Sequence, residues 1–182
     1  MKFFAPTRLF NILAAAIILS SALISNTARA HDDFEASVSA KYPTAPDAEL
    51  TPGRLCTTPT EKRYAENIDY CERDVSTDLK KFVIKEYDNR LGYTISSMNR
   101  ADFKIDHFIP LSIGGANDPE NLWPQHKSVY QHSDPVELKL SQLMVAGKLK
   151  QAEAIRLIKE CKFNLPRCSD IEHSLNAIQT EY

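Results

Sequence analysis

Asp106 and His107 stand side by side in Phe103-Lys104-Ile105-Asp106-His107-Phe108-Ile109-Pro110-Leu111, and an amide and a second imidazole follow in Asn121-Leu122-Trp123-Pro124-Gln125-His126. Hydrolysing a phosphodiester needs an activated water, a positive charge against the phosphate oxygens, and help for the leaving alkoxide. A neutral imidazole with its ordinary pKa near 6.5 accepts a proton at neutral pH, and a carboxylate is a ligand for a hard divalent cation. The pattern therefore reads as a one-metal hydrolytic site built on a hairpin.

The elements that must position these groups can be read around them. Phe103 to Leu111 alternates apolar with other side chains and meets Pro110, which suits a first strand near an edge. Gly114-Gly115 and Asn117-Asp118-Pro119 are turn signals in the loop from Ser112 to Glu120. Asn121-Leu122-Trp123 is the expected return strand, ended by Pro124. Successive strand residues point to opposite faces, so Asp106 and His107 share a direction only where the backbone twists or bulges. Upstream, Ser76 caps a helix carrying Leu79, Phe82, Val83 and Tyr87, which Gly92 ends. Downstream, Asp134-Pro135-Val136-Glu137 has the form of a capping box, predicting a helix from Pro135 to Gly147. A second amphipathic stretch, Leu149 to Cys161, pairs with it. One short hairpin among several helices indicates an α+β domain.

The run from Phe103 to His126 resembles the HNH endonuclease family, whose ββα-metal fold carries this order of Asp-His, an apolar-Pro pair, Gly-Gly and Asn-Leu-Trp-Pro. The resemblance implies an HNH hairpin core with additional packing helices. It further implies Asp106 as a metal ligand, His107 as the general base, and Asn121 as the residue that fixes the loop behind His107. The family's last ligand falls about nine residues beyond the central Asn, where this chain has Tyr130, a poor ligand for a hard cation. His126 and His132 are the substitutes; a helical turn would send them to different faces, and His126, nearer the hairpin, is the expected ligand. The implied cofactor is a divalent ion, Mg2+ first, with Mn2+, Zn2+ or Ni2+ also suited to such donors.

The rest of the chain sets limits. Lys2 and Arg8 precede the apolar run from Leu9 to Ile24, and Ala28-Arg29-Ala30 is a small-x-small cleavage site, so residues 1–30 read as a signal peptide. Residues 31–53, polar and spotted with proline, read as a flexible lead-in, and 54–182 as a single HNH-type nuclease domain. The expected location is periplasmic or secreted, with no stable membrane insertion once the signal is removed. Cys56, Cys71, Cys161 and Cys168 all lie in the exported part, and pairing Cys56 with Cys71 and Cys161 with Cys168 closes two short loops. Three of the 22 Lys and Arg precede residue 31, leaving 19 against 24 Asp and Glu, a formal charge of −5. That is a poor profile for a non-specific nucleic-acid binder unless the basic groups gather on one face. Lys80, Lys81 and Lys85 on one helix, and Lys127, Lys139 and Lys148 further on, are the basic residues available for a phosphate track.

Two functions follow. The first is an exported metal-dependent endonuclease acting on DNA, and on RNA by the same chemistry, with low sequence specificity. The second is a disulfide-stapled envelope protein that keeps the hairpin as a scaffold and binds without hydrolysis. Convergence of Asp106, His107 and His126 on one solvent-reachable point favours the enzyme; a buried His107 or a distant His126 favours the scaffold.

Overall fold

Residues 41–180, the part of the chain that the computed structural model describes, form an α+β domain with two small antiparallel sheets, four α-helices and two disulfides. The expected signal peptide and the start of the lead-in lie outside the described residues. The first sheet pairs β1 (Glu61–Arg63) with β2 (Ile68–Tyr70), after which α1 spans Thr77–Leu91. The second sheet pairs β3 (Phe103–His107) with β4 (Leu122–His126), and α2 (Lys127–Val145), α3 (Gln151–Phe163) and α4 (Leu165–Thr180) follow.

The first helix forms as its sequence dictates. The Ser76 hydroxyl accepts from the Leu79 N–H at 3.1 Å, and Gly92 ends the helix in the left-handed region at φ 74°. Its buried residues Val83, Ile84 and Tyr87 meet Phe103, Ile105, Leu122 and Trp123 of the hairpin in one core. Val136, Leu140, Leu143, Ala154, Ile158, Ile171 and Leu175 of α2, α3 and α4 make the other, closed by Ile109 and Ile113 from the loop. The hairpin thus lies between two apolar clusters.

Several expectations are corrected. Strand β4 does not stop at Pro124 but runs through it to His126, with Pro124 opposite Ile105. In a two-stranded ribbon each strand has a free edge, where a missing N–H is tolerated. Helix α2 starts at Lys127 rather than Pro135, because the His126 imidazole serves as its cap, its Nδ1 accepting from the Ser128 N–H at 3.2 Å. Pro135 then sits inside the helix, and Asp134 is drawn 2.6 Å from Lys104 instead of capping. The chain after α3 forms a further helix, α4, with Pro166 in its first turn and Ile171 and Leu175 buried. The segment between Cys56 and Cys71 contains the β1–β2 hairpin.

The lead-in is a packed strap from residue 41 onward, not a flexible segment. Tyr42 stacks on His126 with ring centroids 4.1 Å apart, and Asp47 and Thr51 reach the Tyr87 hydroxyl at 3.0 and 2.7 Å. Leu55 bridges to Gly115, so the strap crosses the loop of the β3–β4 hairpin. The disulfides pair as expected, Cys56 with Cys71 and Cys161 with Cys168, at Cα separations of 5.6 and 4.5 Å.

Candidate active site

His107 closes β3 opposite Leu122 and is 4% exposed. Its Nε2 lies 3.0 Å from the Asn117 Oδ1, and the Asn117 Nδ2 donates to the Glu72 carbonyl at 2.7 Å. A carbonyl only accepts, so it fixes which end of the Asn117 amide is the donor. The Oδ1 must then accept from His107, which places the imidazole proton on Nε2 and the lone pair on Nδ1. Burial pushes the imidazole down to about 4 against the pull of the Asn117 hydrogen bond, and the Arg73 guanidinium adds to the lowering. His107 is therefore neutral at physiological pH. Arg73 is itself anchored by donating to the Ile105 carbonyl at 3.1 Å.

Asn121 holds the loop behind this histidine. Its side chain accepts from the Ile109 N–H at 2.9 Å and donates to the carbonyls of Ile109 at 3.0 Å and Ala116 at 2.9 Å. The Phe108 N–H adds a 2.7 Å bond to the Asn121 carbonyl. Such a clamp needs the loop to pass very close: a Cβ on Gly115 would stand 1.8 Å from the Ile109 carbonyl oxygen. The Gly-Gly pair and Asn121 are thus two parts of one device.

Asp106 points elsewhere. Its Oδ2 takes a 2.9 Å bond from Lys162 and its Oδ1 lies 3.5 Å from the Lys104 ammonium. Burial would raise this carboxyl, but the two lysines outweigh that and hold it below the ordinary range. The fully buried Lys162 also reaches Glu137 at 2.6 Å and donates to the His107 main-chain carbonyl at 2.6 Å. Burial raises Glu137, whose ion-pair partner Lys162 is shared with Asp106.

The structure brings Asp106, His107 and Asn121 into one region but leaves His126 out of it. His126 lies opposite Phe103, four strand residues from His107's partner Leu122, or about 13 Å along the ribbon. There it caps α2 and packs between Tyr42 and Phe103, so it is a structural residue and not a ligand beside Asp106. His132 is exposed on α2. Among the described residues no three His, Cys, Asp or Glu side chains converge as a metal-holding group. The expected donor set does not fit a divalent ion, since both Asp106 oxygens face ammonium groups and His126 is remote.

Of the lysines considered for a phosphate track, Lys127 pairs with Asp102 at 2.8 Å and Lys139 bonds Gln179 at 2.7 Å. Lys80, Lys81, Lys85 and Arg100 line one cleft along α1 beside the half-exposed Phe82; Asp78 lines it too, 3.6 Å from Lys81, and Arg100 donates to the Phe103 carbonyl at 2.7 Å. Arg73, Asn117, Glu137 and Lys162 join the site without standing out as functional residues in the sequence. Lys162 carried a signal, for it continues the four-residue spacing of Ala154 and Ile158 and so falls on the buried stripe of α3. Comparison with protein-family models, with curated proteins and with solved structures finds no match to this chain.

Proposed function

We propose that this is an exported HNH-type nuclease domain that hydrolyses phosphodiester bonds in DNA, and in RNA by the same chemistry, with His107 as the general base. The observation that carries the reading is the relay from the Glu72 carbonyl through Asn117 to His107 Nε2, which leaves Nδ1 as the proton acceptor. A water held at Nδ1 gives up its proton as its oxygen bonds to phosphorus and the bond to the leaving oxygen breaks. That alkoxide takes a proton from solvent. Arg73, anchored beside the site, stands against the charge on the non-bridging oxygens. A bound phosphodiester is anionic and raises the basicity of the imidazole next to it, offsetting part of the depression seen in the free protein.

The cleft of Lys80, Lys81, Lys85 and Arg100, with Asp78 as its one acidic residue, gathers the net positive charge that an acidic chain needs to hold nucleic acid. Two disulfides suit an oxidising, extracytoplasmic setting. The scaffold reading keeps two observations in its favour: the low exposure of His107 and the distance of His126 from it. Incubating the oxidised chain with internally labelled single- and double-stranded DNA and RNA separates the two. The nuclease reading expects internal cleavage products; retention of the oligonucleotide without cleavage supports the scaffold.

A further inference from the structure

The ammonium of Lys162 donates to two oxygens and stands in an ion pair with a third. It has three protons and no acceptor capacity, and it meets three oxygens: Asp106 Oδ2 at 2.9 Å, Glu137 Oε1 at 2.6 Å and the His107 carbonyl at 2.6 Å. Two carboxylates and a main-chain carbonyl are also the donor types that hold hard divalent cations. The face of α2 turned to the hairpin repeats the arrangement. Tyr130, Asp134 and Glu137 are spaced by four and three, on one side of the helix. The Lys104 ammonium lies 4.8 Å over the Tyr130 ring and 2.6 Å from Asp134, and Glu137 takes Lys162. Two protein ammonium groups thus fill the space between Asp106 and α2.

We infer that Lys162 is a tethered cation, standing where the hairpin's resemblance expects a metal and closing the Asp106 carboxylate to divalent ions. The inference rests on the HNH reading only for that position. An ammonium carried on α3 is present at any metal concentration, and its bond to the His107 carbonyl ties the charge cluster to the backbone of the proposed base. The Cys161–Cys168 disulfide begins at the residue before Lys162 and fixes the end of α3 that delivers it.

The test is Mn2+ binding to the full oxidised chain, followed by loss of the free-ion electron paramagnetic resonance signal, in the wild type, Asp106→Asn, Lys162→Ala and the double variant. Up to about 1 mM Mn2+, the range of weak oxygen-ligand sites, wild type and Asp106→Asn should bind equally. Lys162→Ala should gain one equivalent, which the double variant loses again. One equivalent bound by the wild type and lost in Asp106→Asn overturns the inference, as does a folded Lys162→Ala that binds no more than the wild type. If circular dichroism shows Lys162→Ala to be unfolded, the comparison of wild type with Asp106→Asn decides alone. Cleavage is not read, so a chain without nuclease activity gives the same answer.

Discussion

The depressed basicity of His107 ties the proposed base to the stability of the fold. The imidazole titrates at its ordinary value of 6.5 in the unfolded chain and is pushed down to about 4 in the folded one. Above pH 6.5 it is neutral in both states and contributes no pH dependence. Between 6.5 and 4 the unfolded chain takes up a proton that the folded chain refuses, so stability falls as pH falls. Below 4 both states are protonated and the loss is complete. A difference of 6.5 against about 4, at 1.36 kcal/mol per unit, makes this about 3 kcal/mol. Glu137 acts oppositely: its folded carboxyl is raised, so its contribution is lost as pH rises. The quantity to measure is therefore the difference between wild type and His107→Gln in urea unfolding from pH 7.5 to 4. The variant loses the Asn117 hydrogen bond at every pH, a constant offset, while the wild type should lose about 3 kcal/mol relative to it on acidification. A flat difference, or a His107 imidazole resonance with its midpoint near 6.5, would refute the burial and relay assigned to this residue.

Other perturbations test the supports of the site. Lys162→Met leaves the buried carboxylate of Asp106 and the half-buried one of Glu137 without their shared partner and should cost about 3 to 5 kcal/mol in chemical denaturation. Adding Asp106→Asn to that variant should recover part of the loss. Asn121→Ala removes three hydrogen bonds, two of them buried, and should cost about 3 kcal/mol, at about 1 kcal/mol each, seen as a lowered urea midpoint. Replacing Cys56 and Cys71 together by Ser reopens a loop with sequence separation 15 and should cost about 3 kcal/mol by the chain-entropy argument.

Local rules made some elements legible in the sequence and long-range contacts decided the others. The Ser76 cap, the Gly92 stop and the apolar spacing between them depend on neighbours in the chain, and α1 follows them. The cysteine pairings were legible because both loops are short. The Asp106-His107 hairpin with Asn121 was legible because the turn glycines and the clamp lie in one run. The start of α2 was not: Asp134-x-x-Glu137 has the form of a cap, but Lys104 and Lys162, far away in sequence, claim both carboxylates. Pro124 reads as a strand end until the ribbon proves to have a free edge there. Asn117 reads as a turn residue because its partner Glu72, just past Cys71, lies 45 residues away in the chain. His126 looked like a ligand because an imidazole after a return strand carries no mark of the Tyr42 ring that covers it.

Whether His107 is the base of a nuclease is decided by nicking of supercoiled plasmid by the purified, oxidised chain, with Mg2+, Mn2+ or EDTA and beside His107→Ala. The expected result is cleavage by the wild type that falls about 10²- to 10⁴-fold when the general base is removed. Well-folded wild type that nicks under none of these conditions, or cleavage that persists undiminished in His107→Ala, would contradict it.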